Sequence, residues 1–128
     1  LIKIENEYCQ KHSEDADYVY YKIKGYAPLF FRPRAFNETA FCQVVSETFY
    51  QKNWHYFQIK ETMVQDGDVV VDCGAAEGLF SFAILPRAKH IYAVEPVPLF
   101  VSSMRAIFSG IEKITIRSLA LSDKAGQI

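Results

Sequence analysis

The second half of the sequence alternates short β-branched runs with helical patterns, and this alternation constrains the fold more than any other feature. Three β-branched runs occur, at residues 69–73, 91–95 and 114–117. Hydrophobic periodicity predicts two helices between them, over residues 77–85 and 98–109. A strand–helix–strand–helix–strand order is typical of half of a doubly wound, Rossmann-like parallel sheet. The fold class predicted for the chain is therefore α/β.

The first half of the sequence has a different residue pattern. Residues 18–31 are rich in β-formers and broken at Gly25 and Pro28, which predicts a two-stranded hairpin. Asn37 is a candidate N-cap for a helix that runs to about Lys52. The turn signal at residues 66–68 divides the chain into an N-terminal hairpin-and-helix segment, residues 1–66, and the βαβαβ half, residues 67–128. Residues 1–17 match no pattern.

The parallel-sheet interpretation also leads to expectations about strand burial and about the cysteines. The run at residues 69–73 is predicted to be buried on both faces, as strands of parallel sheets usually are. Cys73, at its end, is then a small apolar filler. The three cysteines lack the C-x-x-C spacing of a metal or redox site, and the three histidines have no partner spacing, so we expect no metal site.

Charge and hydropathy exclude several classes of partner. The chain has 14 Lys and Arg against 15 Asp and Glu, a net charge of -1, so no basic excess indicates nucleic-acid binding. No apolar run approaches the ~20 residues that a membrane span needs, and no targeting signal opens the chain. We expect a soluble cytoplasmic protein. Because the chain starts at Leu1 and stops within a turn-like segment, we also expect it to be a portion of a longer protein.

Four residues at strand ends and in the intervening loop suggest a cofactor site. Asp72 ends the first predicted strand of the parallel sheet and Glu95 ends the second, 95 − 72 = 23 residues later. An acidic side chain about 20 residues after such a loop meets ribose hydroxyls in this fold class. Gly74 lies where the chain must turn sharply, and Gly78 is predicted in the first turn of the next helix, where a missing side chain permits close approach.

Charge then distinguishes between cofactors. Asp72 and Glu77 place two carboxylates beside the predicted helix N-terminus, where a pyrophosphate would be repelled. The spacing G-x-x-x-G also lacks the middle glycine of the dinucleotide-binding pattern. S-adenosylmethionine carries a sulfonium and an ammonium, so an acidic cleft suits it, and we expect it to be the cofactor.

At this point the sequence resembles a known family. Residues 72–81, 94–98 and 120–126 are similar, in order and interval, to three signature blocks of the FkbM-type S-adenosylmethionine-dependent methyltransferases. The resemblance implies a class I methyltransferase fold with seven strands, of which this chain supplies the first three. It implies that Asp72, Gly74 and Gly78 line the methionine end of the cofactor, that Glu95 holds the ribose, and that Leu119 and Ala120 edge the adenine.

The full set of cofactor-contacting residues that the resemblance implies is Asp72, Gly74, Ala75, Ala76, Gly78, Glu95, Pro96, Leu119 and Ala120. The chain departs from the family pattern at two places. The family often has Asn and an apolar residue where this chain has Ala76 and Glu77. One polar contact is therefore in question, and the charge of Glu77 has no explanation from the sequence.

The predicted function is methyl transfer to a hydroxyl of a sugar, a lipid or another natural product, and no catalytic base is identified. Two alternatives stay open: a catalytically incomplete cofactor-binding fragment or interaction module, and an NAD(P)-dependent oxidoreductase. Single residues also have plainer interpretations. Asp72 could cap the following helix, and Glu95 could be a solvated strand end. The sequence indicates no oligomeric state.

Overall fold

A computed structural model describes residues 6–127 and shows two three-stranded sheets with helices between and around them. The first part contains β1 (Cys9–Glu14), β2 (Tyr18–Ile23), β3 (Phe30–Pro33) and α1 (Glu38–Phe49). The second part contains β4 (Val69–Cys73), α2 (Leu79–Ile84), β5 (His90–Val94), α3 (Pro98–Ile107) and β6 (Ile114–Arg117). The predicted α/β class is confirmed.

The first sheet is antiparallel, in the order β1-β2-β3. The predicted hairpin is confirmed, since β2 and β3 pair with Val19 opposite Arg32. Strand β1 was not predicted, because only Cys9 of its six residues is buried and the sequence shows no alternation. It also carries an irregularity between Lys11 and Ser13. Within the same unassigned N-terminal stretch, residues 6–8 are helical, and residues 1–5 lie outside the described residues.

Helix α1 begins where the sequence predicts. The Asn37 side chain accepts a hydrogen bond from the Ala40 N–H at 3.1 Å, so Asn37 is the N-cap. The helix ends at Phe49, three residues before the predicted Lys52. Its buried stripe packs beneath the first sheet and against α2.

The second sheet is parallel, in the order β4-β5-β6, with α2 and α3 as its crossover helices. The bounds of β4 and β6 agree with the predicted runs. The predicted helix bounds need correction. Helix α2 begins at Leu79 rather than Glu77 and ends at Ile84, and α3 ends at Ile107 rather than 109.

The predicted burial of β4 on both faces is wrong. Val69 and Val71 are 58% and 57% exposed, and Cys73 is also exposed and is not a core filler. Val70 and Asp72, which point to the opposite face, are half-buried. Tyr92 of β5, the register partner of Val71, is 38% exposed. The described residues pack against only one face of this sheet. Whether a strand residue is buried therefore depends on what packs against it and not on its residue type.

One hydrophobic core joins the two parts. Phe30 of β3 stacks on Phe41 of α1 with ring centroids 6.0 Å apart, and it meets the edge of Phe82 of α2 at 5.3 Å. Leu79 and Met104 from the parallel part belong to the same buried cluster. Helix α3 packs directly on β3. The predicted division at residues 66 and 67 stays a prediction about domain organisation.

Among residues 6–127, no helix is long and apolar enough to cross a membrane.

Candidate functional site

The predicted cofactor residues lie at the carboxyl edge of the parallel sheet. Asp72 is in β4, and Glu95, Pro96, Leu119 and Ala120 follow β5 and β6. Residues 74–78, which we call the glycine loop, connect β4 to α2. Ligands bind at this edge in open α/β sheets. The fold therefore brings the three sequence blocks to one side of the molecule.

Glu95 is a buried acceptor that ties two loops together. Its side chain is 5% exposed, so the interpretation as a solvated strand end is wrong. One carboxylate oxygen, Oε2, accepts from the Ala76 N–H at 2.8 Å, and the other, Oε1, accepts from the Val97 N–H at 3.0 Å. Because both bonds are charge-assisted, Glu95 holds the glycine loop against the segment that follows β5.

Gly74 turns the chain away from β4. Its φ of +75° is in the left-handed region that favours glycine, as the sequence predicts for a sharp turn. The N–H groups of Gly74 and Ala75 both donate to the Val94 carbonyl, at 2.9 and 3.1 Å. A Cβ on Gly74 would have nothing within 4 Å. The residue is needed for its backbone conformation, and the space beside it is open.

Gly78 is needed for a different reason. It is the N-cap of α2 and not part of its first turn, with a φ of +87°. A Cβ there would lie 2.9 Å from both Met104 Cγ and Phe108 Cε2. The sequence predicts that this glycine lets the helix and a ligand approach the strand, whereas the observed close neighbour is α3.

Asp72 is held by a side chain of α2. Its carboxylate accepts from the Ser81 hydroxyl at 2.6 Å, and the N-cap position of α2 belongs to Gly78, so Asp72 does not cap that helix. Burial raises the pKa of Asp72 above its ordinary value, and the nearby Glu95 carboxylate adds to this rise. The Ser81 hydrogen bond opposes the shift because it stabilises the charged form. Asp72 and Glu95 are therefore near enough to interact electrostatically.

Glu77 is the residue whose role sequence reasoning missed. The sequence places it on the first turn of a helix, but its side chain is fully buried and neither carboxylate oxygen has a hydrogen-bond partner. Burial raises its pKa to about 7, and Asp72 adds to this effect. The backbone N–H groups of Glu77 and Leu79 and the charge of Arg32 offset part of this rise in pKa. One indication of this burial was present in the sequence: the family that the sequence resembles often has an apolar residue where this chain has Glu77.

Arg32 supplies buried positive charge from the other sheet. It is 4% exposed on β3, and its Nε donates to the Tyr21 hydroxyl at 3.0 Å. Its Nη1 donates to the Pro33 and Phe36 carbonyls at 3.0 and 3.1 Å. The guanidinium lies 5.2 Å from the Phe41 ring centroid, within cation–π range. The guanidinium influences Glu77 electrostatically without forming a close ion pair with it.

A groove of about 790 Å³ lies beside the segment after β6. It includes three predicted cofactor residues, Pro96, Leu119 and Ala120. Its other lining residues are Ser118, Leu121, Ser122, Lys124, Ala125, Gly126 and Gln127. The groove and the glycine loop are therefore neighbouring parts of the same sheet edge, since Pro96 directly follows Glu95. Among the described residues, no group of three or more His, Cys, Asp or Glu side chains is placed to hold a metal ion.

Comparisons with known proteins bear on the fold. No protein-family model matches the chain, and no curated protein matches it. The chain is similar to a crystal structure of M. jannaschii TYW2 in complex with AdoMet (S-adenosylmethionine), at 16% identity and a TM-score of 0.54. That alignment covers 85% of this chain and 46% of TYW2. The likeness shows that the two chains share a fold.

Two further likenesses are shorter. Methyltransferase FkbM from Methylobacillus flagellatus KT aligns at 17% identity over 44% of this chain and 18% of its own, with a TM-score of 0.39. The 23S rRNA methyltransferase ErmE aligns at 25% identity over 43% of this chain and 22% of its own, also at 0.39. At these TM-scores neither alignment supports a statement about this chain. The chain spans less than half of each of the three proteins.

Proposed function

We propose that this chain is the cofactor-binding portion of an S-adenosylmethionine-dependent methyltransferase. The observation that carries the proposal is the buried Glu95 carboxylate, which is fixed above a glycine loop at the carboxyl edge of a parallel sheet. Support also comes from the fold shared with TYW2, whose structure contains AdoMet.

The residues present fit the proposed cofactor. Ribose hydroxyls are hydrogen-bond donors, and each oxygen of Glu95 accepts one backbone N–H and retains capacity for a second donor. The open space beside Gly74 permits a ligand to approach the backbone. The carboxylates of Asp72 and Glu95 favour a positively charged ligand and disfavour a pyrophosphate.

When bound, S-adenosylmethionine supplies a methyl group on a positively charged sulfur. The role of this chain's residues is to bind and orient that donor, since positioning contributes much of the acceleration of a two-substrate reaction. Ser81 holds the Asp72 carboxylate in place, and the two backbone N–H groups do the same for Glu95.

The proposal extends to the FkbM type and to a hydroxyl acceptor on a sugar, a lipid or another natural product. Its support is the set of three sequence blocks, together with the position of Pro96, Leu119 and Ala120 beside one groove. Release of the hydroxyl proton requires a base, and no residue of this chain is assigned to that role. The proposed setting is the cytoplasm.

Calorimetric titration tests the cofactor. We expect S-adenosylmethionine and S-adenosylhomocysteine to bind and NAD⁺ to give no heat of binding. Glu95→Gln should weaken both ligands by roughly 10- to 100-fold, because hydrogen bonds to a charged acceptor contribute about 1.5–3 kcal/mol. Glu112→Gln, at an exposed position before β6, is the matched control and should bind as the wild type does.

Glu95 also satisfies two backbone N–H groups, so each variant needs a thermal unfolding measurement beside its titration. A folded Glu95→Gln variant that binds S-adenosylmethionine with unchanged affinity would exclude the ribose role. Binding of NAD⁺ without S-adenosylmethionine would overturn the proposed function and favour the oxidoreductase alternative.

A further inference from the structure

Glu77 is the buried group in the cofactor region that the proposed function does not use. It lies inside the glycine loop, between two residues with left-handed backbone conformations, Ala76 at φ +50° and Gly78 at φ +87°. Its side chain is 0% exposed, and both carboxylate oxygens lack hydrogen-bond partners. The carboxyl is therefore inside the protein, where solvent does not stabilise its charge.

The charged groups that influence Glu77 come from two different strands. Asp72 of β4 acts on it as a like charge, and Arg32 of β3 acts as an opposite charge. Asp72 in turn interacts with Glu95, so three carboxylates form one electrostatic cluster around the loop. Arg32 is held by its bonds to Tyr21, Pro33 and Phe36 and makes no close contact with a carboxylate among the described ion pairs.

We propose that Glu77 is a specificity-determining residue, a buried carboxyl in the glycine loop that favours the positively charged methyl donor over the neutral thioether product. This inference rests on the proposed function. S-adenosylmethionine and S-adenosylhomocysteine differ by one methyl group and by the positive charge on sulfur. A charge buried in a low-dielectric region, with no hydrogen bond to offset it, acts over a longer distance than a solvated one.

Because Glu77 can ionise, the preference for donor over product should change with pH. Because burial raises its pKa to about 7, the carboxyl is mostly neutral at pH 6 and mostly charged at pH 8. Discrimination between donor and product should therefore increase as the pH rises through neutrality. A neutral Glu77 leaves Asp72 and Glu95 as the acidic groups of the cluster.

The test is a titration of S-adenosylmethionine and S-adenosylhomocysteine at pH 6 and pH 8, with wild type, Glu77→Gln and Glu77→Leu. In the wild type we expect the ratio of the two affinities to rise by roughly 3- to 10-fold between the two pH values. Both variants should lose this extra rise. Ionisation of the ligands' own amino groups is common to all proteins and cancels when a variant is compared with wild type at the same pH.

Glu61→Gln, at an exposed position before β4, is the matched control and should keep the wild-type rise. If both ligands bind and the ratio in Glu77→Gln changes with pH as it does in wild type, Glu77 has no part in selectivity and the proposed function still stands. If neither ligand binds wild type, the proposed function itself fails. If the Gln amide prevents folding, Glu77→Leu serves as the test variant, because it introduces an apolar residue of the kind that the resembled family often has at this position.

Discussion

The two halves of the glycine loop are stabilised in different ways. Residues 74–76 are held by hydrogen bonds, from two N–H groups to the Val94 carbonyl and from a third to Glu95. Residues 77–78 differ: Gly78 is hydrogen-bonded to Ala75 and Phe82, which are near it in sequence, and its long-range contact is packing against α3. The Glu77 carboxyl is buried without a hydrogen-bond partner. The contrast shows that two glycines and two glutamates in one motif need not serve the same purpose.

The two glutamates make the contrast sharpest. Glu95 and Glu77 are both buried, yet Glu95 accepts two backbone hydrogen bonds and Glu77 accepts none. A buried carboxylate whose lost solvation is only partly compensated retains its proton to higher pH. Substitutions in each half of the loop should therefore have different consequences.

The largest expected effect is at Gly78. Gly78→Ala should destabilise the protein by about 2–5 kcal/mol, because a left-handed conformation costs about 1–2 kcal/mol and overpacking against Met104 and Phe108 adds about 1–3 kcal/mol. Gly74→Ala has the same backbone cost but open space, and should lose about 1–2 kcal/mol. Urea unfolding of the two variants measures the difference. Equal losses would mean that α3 moves aside and that the second half of the loop is not tightly packed.

The next effect concerns the pH dependence of stability. In the folded protein Glu77 keeps its proton up to about pH 7, whereas the unfolded chain releases it near the ordinary value of 4.5. The contribution of Glu77 is thus fully present below pH 4.5, is lost as the pH rises through about 7, and does not return above it. The shift corresponds to a loss on the order of 3 kcal/mol.

Glu77→Gln removes this ionisation. Relative to wild type, the variant should gain on the order of 3 kcal/mol of stability between pH 4.5 and pH 8, as measured by urea unfolding at each pH. Asp72 is unchanged in both proteins, so its own raised pKa cancels in the difference. A difference between wild type and variant that does not change with pH would show that Glu77 is solvated and hydrogen-bonded, like an ordinary surface carboxyl.

The smallest effect is expected at Ala76, where the two halves meet. Its φ of +50° is unfavourable for a residue with a Cβ, so Ala76→Gly removes about 1–2 kcal/mol of strain. The greater freedom of glycine in the unfolded chain offsets about 0.5–1 kcal/mol of this gain. We expect a net stabilisation of about 0.5 kcal/mol by urea unfolding.

Ala75→Gly is the matched control for this prediction. Ala75 is buried and does not have a positive φ, so its replacement should destabilise the protein by about 1 kcal/mol. If Ala76→Gly raises the free energy of unfolding and Ala75→Gly lowers it, the result would confirm that the backbone becomes left-handed at residue 76. Destabilisation at both positions would show that the left-handed conformation at Ala76 costs little.

The parts of the fold that were predicted correctly depend on local signals. The hairpin around Gly25, the N-cap at Asn37 and the strand at residues 114–117 are each encoded within a few neighbouring residues. Strand β1 was missed because it is a polar edge strand. Its extended conformation comes from pairing with β2 and not from a pattern in its own residues. Among the site residues, Asp72 and Glu95 were predicted to lie close together, because consecutive parallel strands end at the same edge.

The sequence by itself determined the order of the elements from β2 onward, the turn at Gly74 and the position of Glu95, because periodicity, glycine and strand ends act over short stretches of chain. Only the tertiary structure decided which groups are buried. The exposure of Val69 and Val71 depends on what packs against β4, and Glu77 is fully buried although it lies in the loop before α2. Burial is a property of the neighbours that the fold assembles, so the chemistry of Glu77 could not be predicted from its own segment.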